Sequence, residues 1–287
     1  MAKLFEFPGT SQTGGEEAAN NVAVDLEHAA AEVRSVVESL FRGESECYVI
    51  FLPEKKQTEA GIQMRPLVMP MQSPRTAPLV HVAIGEAVAK RVVEKYQLKE
   101  GKPEYHKMAF PDLMRYMLRM MNADIWGCAL LREQSTLIAS TVSMQTAVLE
   151  LQGKDPSSFQ RTAELIGTLH KCRRANKSFY MPVMKLNGRA TPVCFGNEDP
   201  RVCPVATSRE LLEKQFEKMT EKPLPMQVTP AQLIERLAGF QRQTGGYLVS
   251  FLDGDQNYPS YSMPFCRTFC EIFRLKIPAE FLPQPKQ

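Results

Sequence analysis

A chain of 287 residues, 44% hydrophobic and 23% charged, sits near the middle of globular proteins, which excludes a mostly disordered chain, a fibre and a disulfide miniprotein. At this length about 75% of the surface exposed by the unfolded chain can be buried, so folding requires neither a metal nor a cross-link. The 35 Lys+Arg against 32 Asp+Glu leave a net charge of +3, too little to argue for wholesale binding to nucleic acid or membrane.

Residues 1–20 carry Gly9, Gly14 and Gly15 without a period and read as a flexible tail. Val22, Leu26, Ala29, Val33, Val36, Val37 and Leu40 then recur at three- and four-residue steps, which predicts a helix stopped at Gly43. Cys47 to Leu52 is a β-rich run, and a polar loop leads to a second short run from Pro66 to Met69. Together these suggest a hairpin with a long loop. Val82 to Leu98 reads as a helix.

The polar stretch that follows contains two prolines and is the best linker candidate. Three helical segments come next. The first opens at Pro111–Asp112 and places Met114, Met117, Leu118, Met121, Ile125 and Cys128 on one face. The second runs from about Ser135 to Gln152, and the third opens at Asp155–Pro156 and buries Phe159, Ala163, Ile166 and Leu169. Two β-like runs then flank Asn187–Gly188, a dipeptide that tolerates the positive φ of a two-residue hairpin turn. Pro182 and Pro192 lack ladder donors and argue for an exposed edge or bulges there. Thr207 to Glu210 and Thr229 to Gln232 have the capping-box pattern, each opening a helix, the second ending at Gly245–Gly246. Tyr247 to Leu252 is a strand turning at Asp253–Gly254, and a short helix lies around Cys266–Phe273.

The expected class is α+β, helix-rich with small antiparallel sheets, in one large or two small domains. The divisions are the tail at 1–20, an N-terminal α/β segment at 21–98, a linker at 99–110, a helical middle and α+β domain at 111–258, and an aromatic, proline-rich tail at 259–287. Each half has a helix, a hairpin and a further helix, which raises a duplication, although the residues do not align convincingly.

From Glu164 to Tyr258 the order is a helix, the hairpin, Cys203-Pro-Val-Ala-Thr-Ser-Arg-Glu-Leu-Leu, TPAQLIERLAGF and YLVSFLDGD. This segment, 164–258, resembles the SseB-type N-terminal domain, with Pro204 to Leu212 matching its strand-to-helix motif and Ala206 replacing the usual aromatic. The resemblance implies a small α/β module used for interaction and carries over no catalytic residues.

The seven cysteines are odd in number and scattered, and the N-terminus lacks a charged segment followed by a long apolar one. Reduced thiols in a cytoplasmic setting are therefore expected, without a signal peptide. No apolar run reaches the roughly 20 residues of a membrane span. Cys266 and Cys270 lie at i and i+4, where two ligands converge on a tetrahedral metal, and Cys194 and Cys203 are the available additions. The wide gap between the latter two and the habitual burial of free cysteine favour core thiols instead, so no metal or cofactor is expected. His170 and Cys172 are two apart on a helix and do not face each other. Lys171, Arg173, Arg174 and Lys177 form the densest basic cluster, at a helix C-terminus, where cations answer the macrodipole.

These observations point to a non-enzymatic, cytoplasmic interaction protein that is a subunit or adaptor of a larger assembly. Its expected anchors are the proline-bearing hairpin, with Phe179, Tyr180 and Phe195, and the aromatic tail, with Tyr258, Tyr261, Phe265, Phe269 and Phe273. The first alternative is a nucleic-acid-associated factor using Lys171, Arg173, Arg174 and Lys177. The second is a thiol- or zinc-dependent enzyme. No membrane partner is expected.

Overall fold

The computed structural model describes residues 30–58, 61–66, 68–69, 78–95, 103–186, 189–196 and 200–282. The tail at 1–20, the Asn187–Gly188 turn and much of the expected linker lie outside them. The fold is α+β. It divides into two compact units, Met1–Leu113 with Gly127–Gly153 and Met114–Trp126 with Lys154–Gln287.

In the first unit, helix α1 (30–41) turns Val33, Val37 and Leu40 inward and ends where Gly43 takes φ 72°. Strands β1 (Cys47–Thr58) and β2 (Gly61–Pro66) form an antiparallel hairpin. The chain continues through β3 (Val68–Met69), β4 (Leu79–Ile84), α2 (Glu86–Lys95), β5 (Glu104–Met108), α3 (Phe110–Asn122), which from Met114 onward belongs to the second unit, β6 (Gly127–Leu131), β7 (Thr136–Ser140) and α4 (Thr141–Leu151). The sheet order is β2-β1-β4-β6-β7, with β5 pairing β1 and β3 pairing β4. Only the β4–β6 pair among these is parallel.

The second unit repeats the plan with α5 (Ser157–Arg174), β8 (Phe179–Leu186), β9 (Arg189–Pro192), β10 (Val202–Ala206), α6 (Arg209–Gln215), β11 (Leu224–Val228), α7 (Pro230–Thr244), β12 (Leu248–Asp253), β13 (Gln256–Tyr261) and α8 (Ser262–Phe273). Its sheet order is β11-β8-β10-β12-β13, with β9 pairing β8 and the β10–β12 pair parallel. The correspondence holds residue by residue. Tyr48 faces Ala83 across β1 and β4, and Tyr180 faces Ala206 across β8 and β10. Phe51 faces both Glu104 and Pro66, and Val183 faces both Leu224 and Pro192. The parallel pair starts at Leu79–Gly127 in one sheet and Val202–Leu248 in the other, and the closing hairpin starts at Gly127–Ser140 and Leu248–Tyr261. A one-residue slip would turn every core side chain of a strand to the opposite face, so this coincidence of registers identifies one fold present twice.

Local chemistry explains the strongest elements. Thr229 caps α7 with a full box: Gln232 N donates to its hydroxyl at 3.3 Å, and Thr229 N donates to Gln232 Oε1 at 3.0 Å. Gly245 closes the helix in the left-handed conformation, φ 73°. In α6 the cap is Ser208, whose hydroxyl accepts from Leu211 N, while Thr207 donates instead to Asp253 Oδ1 at 2.6 Å.

Several expected boundaries change. The helix predicted from Val82 begins at Glu86, because Leu79–Ile84 is a strand buried from Leu79 to Ala83 and Gly85 turns at φ 93°. The helix predicted over Ser135 to Gln152 begins at Thr141, since Thr136–Ser140 alternates exposed and buried residues as β7. The expected linker at 99–110 contains β5, paired with β1 along its length. The expected tail at 259–287 contributes the end of β13 and all of α8 to the second unit.

Candidate docking groove

The aromatic residues expected at a partner surface separate into two sets. Phe179, Phe265 and Phe269 are fully buried, and Tyr258 is nearly so. Phe179 contacts Phe251, Phe269 and Phe273 with ring centroids 6.0, 5.3 and 5.6 Å apart, and Phe269 stacks on Phe273 at 4.3 Å. These rings are the core of the second unit, because α8 folds back over the sheet instead of trailing from it. The expected exposed edge at the Phe179–Phe195 hairpin is corrected likewise: β8 lies inside the sheet, flanked by β10 and β11. Tyr180 and Phe195 are half-buried against Ala206, Leu212, Phe216 and Leu252, and Phe195 meets Phe216 at 4.8 Å.

Tyr261 remains at the surface, 66% exposed, with Met263 beside it. They border a concavity of about 450 Å³ between the end of α7 and the start of α8, lined also by Pro200, Gln241, Thr244, Gly245, Gly246, Tyr247 and Ser262. Its floor is fixed by polar bonds. Gln241 accepts from Ser262 Oγ at 2.7 Å and donates through Nε2 to Gly245 O at 2.9 Å. Tyr247, buried below, donates its hydroxyl to Leu237 O at 2.8 Å. Burial raises the phenol of Tyr247 above its ordinary range, so it stays a neutral donor. Gly245 and Gly246 bring bare backbone to the groove, and a Cβ on either would meet nothing within 4 Å. Among the described residues the lining contains no carboxylate, imidazole, amine or thiol, and its rings, methylenes and bare backbone suit an apolar or aromatic side chain.

The basic cluster lies at the C-terminal end of α5. Lys171, Arg174 and Lys177 are exposed and Arg173 is half-buried. Arg174 is already paired with Asp124 Oδ2 at 2.6 Å. His170 is buried, donates from Nε2 to Met121 O at 2.8 Å, and meets Trp126 edge-on. Burial holds its imidazole below the ordinary value, ahead of the raising effects of that hydrogen bond and Asp124.

Cys266 and Cys270 are on one face of α8 as spaced, and that face points into the core, where both are fully buried. Burial raises both thiols, that of Cys270 to about 11, which leaves them protonated near neutral pH. Cys194 is half-exposed and Cys203 fully buried. Among the described residues no group of three or more His, Cys, Asp or Glu is placed to hold a metal ion. No helix among them is long and apolar enough to cross a membrane. The sequence pointed to Tyr261 only as one of several aromatics. It held no signal for Gln241, whose role depends on α7 ending opposite the start of α8.

No protein-family model matches the chain, and no curated protein does. Among solved structures it is similar to Anabaena Tic22, described as a protein of protein transport, at 12% identity over 90% of this chain and 99% of that one, with a TM-score of 0.19, too low to argue from.

Proposed function

We propose that this protein is a non-enzymatic, cytoplasmic interaction protein that serves as a subunit or adaptor, and that a protein partner docks at the Tyr261–Met263 groove of the second unit. The observation that carries the reading is an exposed aromatic and an exposed thioether over a hydrogen-bonded floor in which the described residues include no catalytic group. A large ring at low conformational cost beside an adaptable methionine is the composition of binding hot spots. The resemblance of 164–258 to the SseB-type domain supports an interaction role as well.

The test is retention of partners from gently lysed source cells by the wild-type chain and by Tyr261→Ala with Met263→Ala, identified by mass spectrometry. One or more proteins retained by the wild type and lost by the variant are expected. Identical retention by both would contradict the assigned surface. Charge reversal at Lys171, Arg173, Arg174 and Lys177 is the parallel arm, and a salt-sensitive nucleic-acid complex lost there would favour the alternative.

A further inference from the structure

The strand segment leading out of β9 runs antiparallel to the start of β10. Phe195 N donates to Val202 O and Val202 N donates to Phe195 O, both at 2.7 Å, which makes these two a hydrogen-bonded pair. The next residues outward, Cys194 and Cys203, therefore form a non-hydrogen-bonded pair, in which opposed Cα atoms stand about 4.5 Å apart with side chains approaching closely. That separation falls within the range a disulfide spans, about 4.4–6.8 Å. The repeat supplies a second line of support. The equivalent of the Phe195–Val202 bridge in the first unit is Met69–Leu79, and the adjoining pair there is Val68–Val80, in direct register. Cys194 and Cys203 thus occupy a genuine cross-strand position. The neighbouring Cys194 thiol, followed by burial, raises the Cys203 thiol above its ordinary range.

We propose that Cys194 and Cys203 are a reversible dithiol–disulfide pair, oxidised by a low-molecular-weight disulfide and cross-linking the segment after β9 to β10. Cys194 is the half-exposed member that an oxidant can reach, and Cys203 is buried beside it as the resolving thiol. The sulfur of Cys194 attacks one sulfur of oxidised glutathione, breaking its S–S bond, and the first glutathione leaves as a thiol. The sulfur of Cys203 then attacks Cys194 in the mixed disulfide and expels the second glutathione. Two protein thiols are oxidised, one glutathione disulfide is reduced, and the two thiol protons end on the two glutathiones. Pro200, between the two cysteines in sequence, lines the groove, yet the bond is measured by its own chemistry and does not depend on the docking role.

The full chain is incubated with oxidised glutathione, alkylated under denaturing conditions and mapped by mass spectrometry. The expected result is a Cys194–Cys203 linked peptide and a fall of about 2 Da in intact mass, reversed by dithiothreitol, with the other five cysteines alkylated as before. Cys203→Val places the first unit's own residue at that position, so folding is retained. This variant is expected to hold a stable glutathione adduct on Cys194 and form no link. A wild-type chain that keeps Cys194 as a free thiol or as a lasting adduct, or that links it to another cysteine, would overturn the proposal.

Discussion

The two units share a frame and fill it differently. The second packs Phe179, Phe251, Tyr258, Phe265, Phe269 and Phe273 together, whereas the register-equivalent positions in the first are Cys47, Leu130, Leu137, Met144, Val148 and Gln152. One face of each sheet thus carries aromatic rings in the second unit and aliphatic and sulfur side chains in the first, except that the equivalent of Phe273 is the exposed, polar Gln152. The polar details diverge at equivalent places as well. Thr141 and Ser262 each open the last helix of their repeat and are both buried. Ser262 bonds to Gln241, while Thr141 Oγ1 has no hydrogen-bond partner among the described residues. Thr229 caps α7, and the corresponding position before α3 is Ala109, whose carbonyl accepts the first helical bonds although its side chain cannot cap.

These differences can be broken individually. The largest effect is expected in the aromatic core: Phe269→Ala removes a ring that touches three others and should cost about 3–5 kcal/mol in urea unfolding. Val148→Ala at the equivalent position should cost about 2 kcal/mol. Equal costs would show that the two cores are not filled in different ways. The buried hydroxyls come next. Ser262→Ala strands Gln241 and should cost about 1–2 kcal/mol, whereas Thr141→Val, which removes an unpaired oxygen, should be neutral or stabilising by up to about 1 kcal/mol. Thermal denaturation distinguishes the signs directly.

The caps offer a smaller and reciprocal test. Thr229→Ala should lose about 1 kcal/mol, and Ala109→Ser, which gives α3 the hydroxyl it lacks, should gain about 0.5–1 kcal/mol. A loss on adding that serine would place the start of α3 elsewhere. The mildest effect concerns pH. The imidazole of His170 is held below its ordinary value of 6.5 in the folded chain, so below that pH the unfolded chain takes up a proton that the folded chain resists. Its contribution is fully present above about pH 6.5 and is lost as the pH falls toward the depressed folded value. His170→Gln should flatten that part of the stability profile, and an unchanged slope would assign the loss to other groups.

Much of the frame was legible where local chemistry decides structure. The Thr229–Gln232 box, the stop at Gly245 and the strand ending at Asp253 follow from capping and turn residues that act within a few positions. The strand β7 was hidden because Ile138 is apolar yet 45% exposed, which blurs the alternation and lets Thr136–Ser140 merge with the helix behind it. The duplication was hidden for the reason the cores differ: identical residues persist at only scattered equivalent sites, such as Tyr48 and Tyr180, Pro66 and Pro192, and Ala83 and Ala206. The site was the least legible part. Cys194 and Cys203 stand too far apart in sequence to suggest a pair, and only strand register opposes them. Aromatic residues near the C-terminus look alike until α8 turns most of them inward and leaves Tyr261 outside.

The central claim is that one fold occurs twice in the same register. Cross-strand proton contacts in an isotopically labelled, deuterated sample test it most directly. The account predicts matched contacts between Tyr48 and Ala83 and between Tyr180 and Ala206, together with Leu131 to Thr136 and Leu252 to Asn257. Contacts displaced by one residue in either sheet would contradict it.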